Sequence, residues 1–400
     1  MSDNGGDGVR YNLITYSIIL SVLIVTVLLI CPTTRAAATS GVSTLKLYVA
    51  DYNGNNISVV DPDTGQLLQN IPVGSHPGKV VLDPTGSFAY ILNEGDSTIS
   101  VINTSNDKVV RAMSSGDQPV SMTVSPDGLK IYTVSAVNYA ISVINVSTGL
   151  EEQTLRTGGK PSDIAFITSG IIGVTDSTGN ILLVIDINNS TPEKAISAGE
   201  WPVSIATDPW NNQVYVTGFV SGTITVIETR NWTVLKAIDI GGNPEGAAYD
   251  ASVGQLYVAD PTKGQVLAVD PQGGTATALA AVQNARSITP EAHGNRLFVA
   301  SPDNGTISVV TIDKTPRVDT YDIGHRPVHI AAIYPAAANV TATPAVTTTP
   351  APTYTAAPST MPTVSSTPGP TQTAASPVSP LIPLAAIGAA GIYLALKRRD

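Results

Sequence analysis

An aliphatic-aromatic-aliphatic cluster returns through most of this chain on a fixed clock. "KLYVAD" begins at Lys46, "FAYILN" at Phe88 and "KIYTVS" at Lys130. The aromatic recurs at Tyr48, Tyr90, Tyr132, Tyr215, Tyr257 and Phe298, and Gly173 holds the remaining slot. Successive steps are 42, 42, 41, 42, 42 and 41 residues. A proline keeps the same phase at Pro77, Pro119, Pro161, Pro202, Pro244 and Pro327, with Ala285 at the one position that lacks it. A third marker is an apolar run, "ISVVD" at 57–61, "ISVIN" at 99–103 and 141–145, and four further versions ending at "ISVVT" (307–311). Three markers in one phase define seven repeats, and periods of 20–50 residues belong to solenoids and propellers.

Each repeat holds four short β-type runs. In the first they are "KLYVAD", "ISVVD", "LLQNIPV" and "GKVVLD", separated by "NGN", "DPDTG" and "GSHP". β-Branched alternation favours strands, and Gly, Asn, Asp and Pro set the turns. No segment has a helical period. The expected fold is therefore all-β, a seven-bladed propeller of four-stranded antiparallel blades over residues 45–336. The phase also predicts the closure. No "P-x-x-V/I-A" strand precedes Lys46, whereas the last repeat ends on one, "PVHIAAIY" (327–334). That strand is expected to complete the first blade and hide both sheet edges.

The repeat resembles the YVTN family of β-propeller repeats, known from bacterial and archaeal surface-layer and periplasmic proteins. The elements that carry the resemblance are "YVTG" (215–218), "ISVVD" (57–61), "GSHP" (74–77) and "SPDG" (125–128), and it covers about residues 45–336. "IIGVTDS" (171–177) departs from the pattern by lacking the aromatic. The resemblance implies the fold. It implies little about activity, since sites are grafted onto folds.

The two ends suggest a membrane. Residues 11–31 are almost wholly apolar and uncharged, and "TRAAATSG" follows. Residues 1–38 thus read as a signal peptide, cleaved around Ala36–Ala38, or as a signal anchor. Residues 337–379 carry no charge and are dominated by Thr, Ser, Pro and Ala, the composition of an extended, O-glycosylated stalk. Residues 380–397 read as a C-terminal transmembrane anchor or sorting segment, ahead of a basic terminus that would stay in the cytoplasm. The lone Cys31 excludes an internal disulfide and a thiol site in the repeats. Away from the ends the chain holds 16 positive and 28 negative groups, a balance that argues against nucleic acid.

Positions where the scaffold repeats but the chemistry does not are the candidate binding residues. Just before the marker proline stand His76, Gln118, Lys160, Trp201, Asn243, Asn284 and Arg326. Two residues after it stand Lys79, Ser121, Asp163, Ser204, Gly246, Ser287 and His329. Both sets are expected at the mouth of the central channel, with Glu245 beside them and Trp201 as an apolar platform. His76, His325 and His329 are expected near one blade, but no H-E-x-x-H spacing is present, so no metal or cofactor is predicted. Asp163, Glu200 and Glu245 are the acid–base candidates, and no local signature makes them catalytic. Sugar lactonases and quinone-dependent dehydrogenases among related propellers keep an enzyme, or a small-ligand receptor, as the alternative. N-x-S/T acceptors for N-glycosylation occur at Asn56, Asn103, Asn145, Asn188, Asn189, Asn231, Asn304 and Asn339. The expected protein is a stalked cell-surface propeller with a structural or adhesive role, whose partners are envelope proteins or glycans and the membrane.

Overall fold

The computed structural model describes residues 45–334 apart from Ser190 and His293. The expected leader, stalk and C-terminal anchor, and Asn339, lie outside the described residues. Among the described residues no helix is long and apolar enough to cross a membrane. The fold is seven four-stranded antiparallel sheets, and in blades 2 to 7 the strands run from innermost to outer in chain order. The innermost strands are Pro77–Leu82, Pro119–Val124, Pro161–Phe166, Pro202–Asp208, Ala247–Asp250 and Ser287–Pro290 in blades 2 to 7.

Blade 1 closes the ring as its phase requires. Its innermost strand is Pro327–Ile333, paired with Lys46–Asp51 so that Lys46 faces Ile333 and Tyr48 faces Ala331. The first and last segments of the repeat region are thus joined by backbone hydrogen bonds rather than by a covalent link. Antiparallel order also assigns the two faces of the ring. Every innermost strand starts at one face and runs to the other. The hairpins between second and third strands return to the first face, and those between third and outer strands lie on the second. Leu45 and Tyr334, where the described chain begins and ends, are both on that second face.

The core lies between the blades, and the recurrent cluster shows how. In "KLYVAD", Tyr48 and Ala50 pack with Val80, Ala89 and Ile91 of blade 2. Leu47 and Val49 pack the other way, with Phe298, Ala300 and Ile307 of blade 7. Side chains alternate across a strand, so a strand buried on both faces must be apolar at every position. Each such residue contributes about 1.5–3 kcal/mol by burial, and the pattern recurs because each blade wedges against two neighbours. Outer strands bury little: Leu67–Pro72 has only Ile71 inside. Gly173 is the instructive exception. A Cβ there would stand 2.9 Å from Ile167 Cδ1 and 3.1 Å from Leu182 Cδ1. Those two side chains fill the space that an aromatic takes in the other blades.

A further period is conformational rather than chemical. The last residue of every hairpin between second and third strands has a left-handed backbone: Asn55, Ser97, Tyr139, Asn180, Gly222, Gly264 and Gly305, with φ from 53° to 68°. Four of the seven are not glycine, so each of these hairpins holds a left-handed conformation that L residues rarely adopt.

Candidate functional site

The cavity at the first face has a volume of about 630 Å3 and is lined from all seven blades. The residues two after the marker line it in full: Lys79, Ser121, Asp163, Ser204, Gly246, Ser287 and His329. So do the residues one after it, Gly78, Val120, Ser162, Val203, Glu245, Arg286 and Val328. Two consecutive residues of a regular strand cannot share a face. In blades 1 to 5 a register shift just after the proline resolves this, for example between Pro119 and Ser121 and between Pro161 and Asp163. The extra residue re-aims the chain, as β-bulges do. In blades 6 and 7 the innermost strand starts later, at Ala247 and Ser287, so Glu245 and Arg286 sit in loop.

One half of the wall is a closed network. Asp163 Oδ1 accepts hydrogen bonds from Lys79 Nζ at 2.5 Å and Ser121 Oγ at 2.7 Å, while Oδ2 accepts from the Ile205 amide at 3.1 Å. One carboxylate thereby joins blades 2, 3, 4 and 5. His329, on the adjoining blade 1, has its Nδ1 shut off from solvent without a partner, although the residue keeps partial exposure. Burial first, and the Lys79 charge second, push its imidazole down to about 3, against the pull of Asp163. It is a neutral ring at physiological pH.

The other half is open. Arg286 Nη1 lies 2.8–2.9 Å from both Glu245 oxygens, and Nη2 is 3.1 Å from Asp303 Oδ2. Arg286 Nε is buried with no partner. Burial raises Glu245 above the usual carboxylate range, and the Arg286 charge opposes that. Glu94 enters from the hairpin of blade 2. Its carboxylate occupies the niche left by Gly78, where any Cβ would collide with Oε1. Burial raises Glu94 to about 7, with Arg326 pulling the other way. The Arg326 guanidinium lies over the Tyr52 ring, 5.2 Å from its centroid, and both line the cavity. No carboxylate among the described residues is within ion-pair distance of it.

Of the residues just before the proline, only Arg326 reaches the cavity. His76, Gln118 and Trp201 have left-handed backbones, and their amides donate to Asn55 Oδ1, Ser97 Oγ and Asn180 Oδ1 of the preceding hairpins. This clamp turns the side chains out onto the rim, correcting the expectation that they line the mouth. Lys160 is clamped to Thr178 Oγ1 and exposed. Asn243 donates to Phe219 O, and Asn284 to Asn304 Oδ1, so both serve turns. Trp201 is half-exposed beside Phe219, at 6.4 Å between rings. Glu200 is exposed and outside the cavity lining. All three candidate histidines lie against blade 1, each in a different setting: His76 stacks on Tyr52, His325 Nδ1 is 3.9 Å from Asp51, and His329 is inside the cavity. Among the described residues no group of three or more His, Cys, Asp or Glu is set to hold a metal ion.

Sequence reading missed Tyr52, Glu94, Arg286 and Pro302. Tyr52, Glu94 and Pro302 share one scaffold position, the residue after the second strand, whose other occupants are Ala136, Ser177, Phe219 and Pro261. That position also repeats in place and varies in chemistry, so the criterion applied to the prolines would have found it.

Neither a family model nor a curated protein sequence matches the chain. Many solved structures match in fold. A protein of unknown function from Desulfotomaculum acetoxidans is 19% identical, with a TM-score of 0.64, over 73% of this chain and 100% of that one. A protein provisionally described as a 6-phosphogluconolactonase from Bacteroides fragilis is 15% identical, with a TM-score of 0.62, over 74% and 99%. Kuenenia stuttgartiensis hydrazine synthase is 16% identical, with a TM-score of 0.58, over 66% and 92%. At such identities the likeness concerns the fold alone: the described chain is a seven-bladed β-propeller.

Proposed function

We propose that this chain is a propeller held at the cell surface that binds an envelope glycan in the mouth of its channel. One observation carries the binding role. Fourteen positions fixed by the scaffold converge on one cavity, and their chemistry is mixed rather than repeated. Hydroxyls of Ser162, Ser204 and Ser287, the Tyr52 ring and the Arg326 guanidinium suit a hydroxyl-rich, carboxylate-bearing sugar. The surface placement is supported by the apolar ends and the uncharged Thr/Pro-rich stretch. Leu45 and Tyr334, the ends of the described ring, lie on the face opposite the cavity. The test is calorimetry of the purified protein with fragments of its own envelope polysaccharide. Binding that weakens tenfold or more in Arg326→Ala supports the reading. Absence of binding, or binding indifferent to Arg326→Ala, overturns it.

Hydrolysis of sugar lactones is the second reading. It is favoured by Glu94, which burial places near neutrality in the same cavity as Arg326, as a general base requires. Turnover of aldonolactones that disappears in Glu94→Gln would support it, and no turnover above background would end it.

A further inference from the structure

We infer that the face opposite the cavity is an N-glycosylated face, modified on the turns between third and outer strands of blades 2 to 5. The sites are Asn103, Asn145, one of Asn188 and Asn189, and Asn231. The inference rests on the extracytoplasmic reading above, but not on the cavity's ligand.

Each of these turns opens with a residue whose side-chain oxygen accepts the amides that follow. In blades 1, 4 and 6 that residue is an aspartate: Asp61, Asp186 and Asp270 accept from Asp63, Asn188 and Gln272 at 2.8–2.9 Å. In blade 5 it is Glu228, which accepts from Arg230 and Asn231. In blades 2 and 3 it is Asn103 and Asn145, accepting from Ser105 and Ser147 at 2.9 and 2.8 Å. The turn therefore needs only an oxygen, and a carboxylate serves as well. An amide nitrogen at Asn103 and Asn145 is not required by the fold.

Blades 4 and 5 exclude a simple by-product of turn capping. There the cap is acidic, and the acceptor asparagine stands two or three residues further on, still in the same turn. What recurs over four consecutive blades is the place, not the capping residue. The turns of blades 1, 6 and 7 carry no acceptor sequence.

The local chemistry agrees. Ser105 Oγ, Ser147 Oγ and Thr233 Oγ1 donate to the Oδ1 of Asn103, Asn145 and Asn231 at 2.6–2.7 Å. Nδ2 of Asn103 and Asn231 has no protein partner among the described residues, and neither is shut off from solvent. Nδ2 of Asn145 donates to the exposed Glu152, and those of Asn188 and Asn189 to Asp186. The two described acceptors on the cavity face differ in giving Nδ2 to backbone carbonyls rather than to carboxylate side chains alone. Asn56 Nδ2 is committed to Asp51 Oδ2 and Gly54 O within its hairpin, and Asn304 Nδ2 to Gln283 O. The opposite face also shows Leu129, Leu150 and Trp210, each more than 60% exposed, in its turns. A carbohydrate layer would shield them.

The transfer joins sugar C1 to Asn Nδ2. The C1–O bond of a lipid-linked glycosyl phosphate breaks, its electron pair leaves on the phosphate oxygen, and Nδ2 yields a proton to the transferase.

Peptide mass spectrometry of the full chain purified from the envelope of its native cells tests this. Glycan mass is expected on peptides holding Asn103, Asn145, Asn188 or Asn189, and Asn231, and none on those holding Asn56 or Asn304. Asn103→Asp keeps the turn cap and should lose one glycan with unchanged melting temperature. Unmodified peptides from a chain that added protease can reach at the cell surface overturn the inference alone. Modification of Asn56 or Asn304 as fully as the other face also overturns it. A chain found in the cytosol overturns the surface reading instead.

Discussion

The two halves of the cavity wall handle charge in opposite ways. In blades 2 to 5 Asp163 is 8% exposed, and its oxygens are bound to an ammonium, a hydroxyl and an amide from three other blades. In blades 6 and 7 Arg286 and Glu245 are paired beside a half-exposed Asp303, and one guanidinium nitrogen is left unbound. The first arrangement stabilises the ring, because a buried charge without its partners is costly. The second leaves one buried donor, Arg286 Nε, unpaired. The cause is the backbone. A bulge after the proline drives Asp163 into the wall, whereas Gly246 lets the innermost strand of blade 6 approach the Arg286 carbonyl, where a Cβ would collide. A ring of equivalent positions has thus been divided into a closed clasp and a more open, partly unpaired half.

Deleting Pro327–Ile333 should produce the largest effect. It removes the innermost strand of blade 1 and exposes two apolar interfaces, and cooperative unfolding should vanish in calorimetry. A sharp transition at the original temperature would mean that neither half depends on closure. Asp163→Ala should follow, costing about 3 kcal/mol by denaturant titration, since Lys79 is left in the wall without its carboxylate. Arg286→Ala should cost only about 1 kcal/mol, because its pairs are partly exposed. Equal costs would erase the distinction between the closed and the open half.

Acidity probes two single groups of the wall, Glu94 from blade 2 and His329 from blade 1. Glu94 has an ordinary value of 4.5 and is raised to about 7, so the folded state binds its proton more tightly than the unfolded state. Its contribution is complete below pH 4.5 and is lost as pH rises through 7, by roughly 2 kcal/mol after solvent screening. His329 falls from 6.5 to about 3, so its contribution is present above pH 6.5 and is lost as pH falls toward 3. In stability measured from pH 4 to 8, Glu94→Gln should steepen the gain with rising pH, and His329→Gln should flatten it. The same tilt in both variants would show that the groups do not titrate as their surroundings require. The smallest effect belongs to the rim. Trp201→Ala should change stability by less than about 0.5 kcal/mol and leave glycan affinity unchanged, since its ring lies outside the cavity. A tenfold loss of affinity would extend the proposed binding surface to the rim.

What could be read from the chain follows from which interactions are local. Seven repeats, four strands each, and the closing partner of "KLYVAD" were legible, because burial on both faces forces apolar residues into a strict phase. The ring of residues two after the proline was legible for the same reason: Lys79, Asp163 and His329 break a pattern that the scaffold keeps. The left-handed backbones that turn His76, Gln118 and Trp201 outward were not legible, since three unlike side chains share that conformation. Nor was the late start of the innermost strands in blades 6 and 7, which leaves Glu245 and Arg286 in loop at the cavity, or the niche at Gly78 that admits Glu94 from another hairpin. By itself the sequence determined the architecture, since hydrophobic periodicity is a property of consecutive residues. Only the tertiary structure decided which polar groups meet, because that depends on a bulge, a missing Cβ and the angle between blades that are distant along the chain.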